Sequence, residues 1–112
     1  MVDIKRIKEG EYEVIAIKGE VDASSSIELD SAISDAINDG TKKLLVDCTS
    51  LEYISSAGLG VFMSYIEEFK KNNVNLVIFG LNDKVANVFG ILGLDQLLKI
   101  EGTKMEAKAL LG

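Results

Sequence analysis

Two short apolar runs, Leu44-Leu45-Val46-Asp47-Cys48 and Leu76-Val77-Ile78-Phe79, constrain the fold more than any other feature of the chain. Runs this short and this apolar suit strands covered on both faces or set in the middle of a sheet. Val2–Ile7 and Tyr12–Lys18 read as two further strands, joined at Lys8-Glu9-Gly10-Glu11 in an antiparallel hairpin, and Leu97-Leu98-Lys99-Ile100 reads as a last edge strand. Between these runs the apolar period becomes helical. Leu29, Ala32, Ile33, Ala36 and Ile37 form one stripe, with Ser25 and Glu28 at capping-box spacing before it and Gly40 just past its end. Leu59, Phe62, Met63, Ile66 and Phe69 form a second, and Val85, Val88, Phe89 and Leu92 a third, closed by Gly93. A last helix begins at Thr103, whose hydroxyl caps while Glu106 reaches back; Ala107, Leu110 and Leu111 are its apolar side.

The order β-β-α-β-α-β-α-β-α predicts an α/β fold: a mixed sheet of four to five strands with about four helices. Parallel pairing follows from the alternation, and the hairpin adds one antiparallel strand. The Leu29/Ile33/Ile37 and Phe62/Ile66/Phe69 faces are expected to be buried. The 112 residues suit a single domain over 1–112. Function in such sheets gathers at the carboxyl ends of the strands, here the loops Gly19-Glu20-Val21-Asp22, Asp47 through Ser56, and Gly80 through Asp83.

Several classes of chemistry lack their residues. Histidine is absent, and with it the usual general base and the commonest metal ligand. The single cysteine, Cys48, ends an apolar strand and reads as a buried inert thiol; it allows no internal disulfide, which fits a reducing cytoplasm. Gly58-Leu59-Gly60 begins like a dinucleotide fingerprint, but Met63 stands where the third glycine would be, and no Walker lysine exists. Neither a cofactor nor a metal site is expected, and catalysis is not. A formal charge of −6 opposes binding to nucleic acid or anionic lipid and favours a basic protein surface as partner. No apolar run is long enough for a membrane span, and the amino-terminal residues lack a signal-peptide core.

The most informative segment is Val46-Asp47-Cys48-Thr49-Ser50-Leu51-Glu52-Tyr53-Ile54-Ser55-Ser56-Ala57-Gly58-Leu59-Gly60. It reads as a buried strand, a polar loop, and two serines at the mouth of a helix. Taken by spacing, Ser56 is an N-cap worth about 1 kcal/mol. The stretch Leu51 through Val61 also resembles the signature loop of STAS domains, in particular the bacterial anti-sigma factor antagonists. Gly19-Glu20-Val21-Asp22 resembles that family's turn after the second strand, Leu44–Cys48 its central strand, Val77–Gly80 the strand before its third helix, and Val85–Leu94 that helix with its Gly-Leu end.

The resemblance implies a STAS-like fold and a role for each part. Ser56 aligns with the family's phosphorylated serine, with Ser55 as the neighbouring candidate. Asp22, Ser55, Ala57, Gly58 and Val61 would form the partner-binding surface, and Asp22 and Asp47 would lie beside Ser56. The implied partner is an anti-sigma factor that is itself a serine kinase of the GHKL type, bound by the unphosphorylated protein so that the sigma factor is released. A PPM-type serine phosphatase would reverse the modification. Many family members carry aspartate directly before the phosphorylated serine, where this chain has Ser55. A constitutive STAS scaffold in a transport or stress-signalling assembly is the second reading, and a nucleotide-binding or hydrolytic domain the third. On the helical wheel Val61 falls outside the Leu59/Phe62/Met63/Ile66 stripe and is expected to be exposed.

Overall fold

The computed structural model describes residues 2–111. Its elements are β1 (Val2–Glu9), β2 (Tyr12–Val21), α1 (Ser26–Asn38), β3 (Lys43–Ile54), α2 (Ser56–Lys71), β4 (Asn75–Phe79), α3 (Asp83–Ile91), α4 (Leu94–Leu97), β5 (Lys99–Glu101) and α5 (Lys104–Leu111). The five strands lie in the sheet in chain order, with β1 antiparallel to β2 and every later neighbour parallel. The expected α/β architecture is therefore present, with one short helix, α4, that four residues are too few to announce by periodicity.

The first four strands extend beyond their apolar runs, whereas the last is shorter and later than Leu97–Ile100: Leu97 closes α4, Leu98 caps it, and β5 is Lys99–Glu101. The hairpin is tighter than Lys8–Glu11: Glu9 pairs with Tyr12, leaving the two-residue turn Gly10-Glu11. Gly10 supplies the positive φ of 64° that such a turn requires. Strand β3 does not stop at Cys48 but continues through Ile54, so Thr49–Ile54 is strand and not loop. Its pairing with β4 ends at Asp47–Phe79, and beyond that point it pairs with β2 alone. Two register shifts, near Thr49 and Glu52, each add a residue to β3 relative to β2. Those extra residues break the alternation by which a strand is recognised.

The sheet is covered unequally. Ile15, Ile17, Leu44, Val46 and Ile78 face one core with Leu29, Ile33 and Ala36 of α1, Leu59, Phe62 and Phe69 of α2, and Val85 and Phe89 of α3. The other face buries Val14, Leu45, Val77 and Phe79 under Ala107 and Leu111 of α5. Thr103 caps α5 as expected, accepting from the Glu106 N–H at 3.2 Å, while its hydroxyl donates to Glu106 Oε1 at 3.0 Å. Several stripe positions prove to be at the margin: Ile37 and Ile66 are half-buried, and Met63, Leu92 and Leu110 are exposed. Val61, expected outside, is half-buried and packs against the core. Its side of α2 faces α1, where the Tyr65 hydroxyl donates to Asp30 Oδ1.

One carboxylate lies in the interior. Glu13 is only 1% exposed, yet it accepts from Arg6 Nε, from Arg6 Nη2 at 3.0 Å, and from the Thr41 hydroxyl at 2.9 Å. Arg6 also donates to Asp39 Oδ2 at 2.7 Å, so one guanidinium ties β1, β2 and the end of α1 together. The Arg6 hydrogen bonds hold the Glu13 carboxyl below the usual range, against burial, which pushes it up. Such a depressed carboxyl contributes its stability in full above its unfolded value of about 4.3 and loses it as pH falls through the lower folded value. Arg6→Ala should cost about 3 kcal/mol, the low end for removing one partner of a buried pair, because Glu13 would stay buried without its counter-charge. Urea titrations at neutral pH measure this loss, and the gap to wild type should narrow in acid as Glu13 takes up a proton in both proteins.

Candidate functional site

The candidate site is built where β2 and β3 end and α1 and α2 begin. The Ser55 N–H donates to the Val21 carbonyl at 2.8 Å, which fastens the end of β3 to the end of β2. Asp22, next in the chain after Val21, is thereby held at the same edge as Ser55 and Ser56. Helix α2 starts immediately, because Ser55 has extended backbone (φ −82°, ψ 171°) and its Oγ accepts from the Gly58 N–H at 3.3 Å. The cap is thus Ser55. Ser56, read by spacing as the capping residue, is instead the first residue of α2, and its side chain is exposed.

Gly58 makes this arrangement possible. A methyl group there would lie 2.6 Å from Ile54 Cγ1 and 2.8 Å from Val21 Cγ1, inside van der Waals contact with two buried side chains. Only a residue without Cβ lets the first turn of α2 sit directly on the strand ends. Gly58 is buried and lies beneath the surface of the site, whereas Ala57 and Asp22 are exposed and Ser55 and Val61 are half-buried.

Asp22 organises the loop beside the serines. Its Oδ1 accepts from the Ser24 hydroxyl at 2.8 Å, the Ser25 N–H at 2.9 Å and the Ser25 hydroxyl at 2.9 Å. These bonds, the Ser25 N–H first, bring its pKa down to about 2, so it is ionised throughout the physiological range. The same loop explains why the Ser25/Glu28 capping box does not form. Ser25 Oγ accepts from the Asp22 N–H at 2.8 Å and makes no cap to α1.

Asp47 does not join the site. It sits within β3 opposite Ala16 and Phe79, and its Oδ1 accepts from the Thr49 N–H and hydroxyl at 2.9 and 2.7 Å. The remaining seven residues of strand carry the chain roughly 20 Å further before Ser55. Cys48 beside it is buried, and burial with the neighbouring Asp47 charge pushes its thiol far up, away from the reactive thiolate.

A residue that sequence reasoning missed is Asn82. Its Oδ1 caps α3 by accepting from the Val85 N–H at 2.8 Å, while its Nδ2 donates to the carbonyls of Leu51 and Glu52 at 3.2 and 3.4 Å. It thereby stitches the unpaired side of the β3 extension to the third helix. The signal was available: an Asn-Asp pair directly before the Val85 stripe is an N-cap pattern.

A sheet in chain order with an amino-terminal hairpin, ending in a serine-capped helix on the β2–β3 edge, invites comparison with known proteins. The family model described as "STAS domain" matches residues 4–107. The chain belongs to the STAS domain family. Among curated proteins it is similar to the anti-sigma-B factor antagonist of Staphylococcus aureus (strain NCTC 8325 / PS 47), 28% identical over 106 residues, 94% of this chain and 98% of that one. Among solved structures, an anti-sigma factor antagonist from Mycobacterium paratuberculosis superimposes with a TM-score of 0.89 at 19% identity, over 98% of this chain and 93% of the other. The Bacillus cell fate determinant SpoIIAA in its phosphorylated form gives 0.73 at 20% identity, over 98% and 100%. These two likenesses establish the STAS fold. Among the described residues, no helix is long and apolar enough to cross a membrane.

Two glycines of α2 separate the local demand of the STAS site from helix propensity in general. Gly58→Ala should cost about 1–3 kcal/mol by overpacking Ile54 and Val21. Gly60→Ala, where a Cβ meets nothing within 4 Å, should instead gain about 0.5–1 kcal/mol. Thermal melts of the two variants check the opposite signs.

Proposed function

We propose that this protein is an anti-sigma factor antagonist whose partner is an anti-sigma factor with serine kinase activity of the GHKL type, and whose switch is phosphorylation of Ser56. It acts in the cytoplasm as a binding protein and not as an enzyme. The observation that carries the reading is the placement of Ser56: exposed, at the first position of α2, outside the cap that Ser55 already makes. A staphylococcal relative bearing the name anti-sigma-B factor antagonist and a structural neighbour solved in a phosphorylated form support it.

The physics of the switch follows from where the charge would go. Phosphoserine brings about −1.5 to −2 charge. The amino terminus of α2 favours an anion by about 0.3–1 kcal/mol, but Asp22, ionised at the same edge, opposes it. The two small effects leave the monomer's fold without a reason to change. Turning occupancy of a partner from nearly full to nearly empty requires about 5.5 kcal/mol. Only the interface can supply that much: a dianion pressed against a partner loses its water and costs several kcal/mol unless the partner pairs with it. The unphosphorylated hydroxyl imposes no such cost. ATP and its Mg²⁺ belong to the kinase, and a PPM-type phosphatase resets the serine.

Incubation with the kinase and Mg-ATP, followed by phosphopeptide mapping, tests the reading. Phosphate should appear on Ser56. Ser56→Ala should remain unlabelled yet bind the kinase as wild type does, and Ser56→Asp should weaken binding in part, since one carboxylate carries less charge than phosphate. Phosphate on Ser55 would move the switch by one residue. A kinase that binds the domain and labels neither serine would leave the constitutive scaffold as the function.

A further inference from the structure

The charge of this chain is segregated. Between Gly19 and Thr41 there are six carboxylates, Glu20, Asp22, Glu28, Asp30, Asp35 and Asp39, and no lysine or arginine. The rest of the chain holds twelve of each sign, so the whole formal charge of −6 belongs to the segment from the end of β2 to the end of α1. All six carboxylates are exposed. Three have local employment: Asp39 is paired with Arg6, Asp30 accepts from Tyr65, and Asp22 accepts from Ser24 and Ser25. Glu28 and Asp35 face solvent on a helix that carries no cation, and Glu20 stands at the end of β2.

A large aliphatic side chain stands within this acidic field. Ile27 is 68% exposed in the first turn of α1. Helices α1 and α2 both connect parallel strands of one sheet and contribute to one core, so they run side by side in the same direction. The Asp30–Tyr65 contact marks where they meet. Ile27 lies three residues before Asp30 and Val61 four residues before Tyr65, so each is one turn nearer the Ser56 edge, Ile27 on the solvent side of α1. Ala57 is a further turn along α2. Exposed Ile27 and Ala57 and half-buried Val61 thus lie in the turns of α1 and α2 nearest Ser56, with Glu28 and Asp30 beside Ile27 in the chain.

We infer that the acidic face of α1, with Ile27 as its apolar anchor, is the second half of the docking surface and receives a basic patch of the anti-sigma partner. The inference rests on the proposed function for the partner's identity and extends it to a division of labour. Charges of one sign spread along a helix act at a distance and chiefly accelerate association, whereas a group buried at the contact acts chiefly on dissociation. A phosphate on Ser56 has the same sign as the α1 field and so does not repel a basic partner from afar. Its effect is confined to the closed interface. Phosphorylation therefore shortens the life of the complex and leaves the association rate intact.

Stopped-flow association and dissociation rates with the purified partner kinase, at about 50 and 300 mM salt, test this. Glu28→Lys/Asp35→Lys should slow association roughly tenfold at the lower salt and flatten its salt dependence. Glu11→Lys/Asp95→Lys makes the same change of net charge on other elements and should leave association within about twofold. Ile27→Ala, at unchanged melting temperature, should speed dissociation. Phosphorylated wild type should associate at the unmodified rate and dissociate faster. Equal slowing by both charge pairs, no slowing by the α1 pair, or a phosphate effect on association would each overturn the inference. Ser56 labelling is measured on the same proteins: a kinase that binds but does not label would sink the switch, while the rate comparison would still decide the α1 surface.

Discussion

At Gly58 the chain leaves no room for a side chain, and most of what matters in this molecule depends on that contact. The first turn of α2 rests on Ile54 and Val21, the last residues of two neighbouring parallel strands. Because the helix begins on the strand ends and not after a loop, Ser55 has to turn the chain within one residue. It does so with a backbone bond to Val21 and a side-chain bond to Gly58. Ser56 is then presented outward by a rigid element. A residue on a flexible loop would have to be ordered by a partner at a cost in entropy; Ser56 sits on a helix and is ordered beforehand.

The opposite end of the sheet is held by different means. There Glu13, Arg6, Asp39 and Thr41 form a closed polar network around a buried carboxylate. It fastens the edge strand β1 and the end of α1 to β2, near the hairpin and away from Ser56. Nearby, the ammonium groups of Lys43 and Lys108 lie 5.6 and 5.3 Å from the centre of the Tyr12 ring, and Lys104 and Lys108 pair with Glu9. Charge is thus balanced locally at that end and left unbalanced along α1. On the proposed reading, stability and recognition fall to different regions of one small sheet, so a change in either need not disturb the other.

What was legible in the sequence was whatever depends on local period and chain order. Apolar runs and helical stripes identified every element longer than a turn, and the succession of β2, α1, β3 and α2 placed Asp22 and Ser56 at one edge. What was not legible depends on neighbours. Val61 and Met63 stand on opposite shoulders of α2, and a helical wheel cannot say which shoulder another helix will cover; Tyr65 and Asp30 bring α1 to the Val61 side. The extension of β3 was read as loop because two bulges spoil its alternation, and because its outer edge has no β4 partner and tolerates polar residues. Asp47 followed the same error. Ending the strand at Cys48 brought Asp47 to the site, and lengthening it to Ile54 takes it away.

The sign of the charge on α1 bears on how any modification at Ser56 can work. If the partner were acidic, added negative charge would repel it at long range, and the carboxylates of α1 would already do so in the unmodified protein. A partner that docks on this face as proposed would carry positive charge, and to such a partner a phosphate adds no long-range repulsion. The proposed switch would then rest on fit and desolvation within the closed interface, where a dianion without a matched cation is costly and a serine hydroxyl is not. That requirement falls on geometry accurate to a fraction of an ångström. The rigid seat of α2 on Val21 and Ile54 provides it.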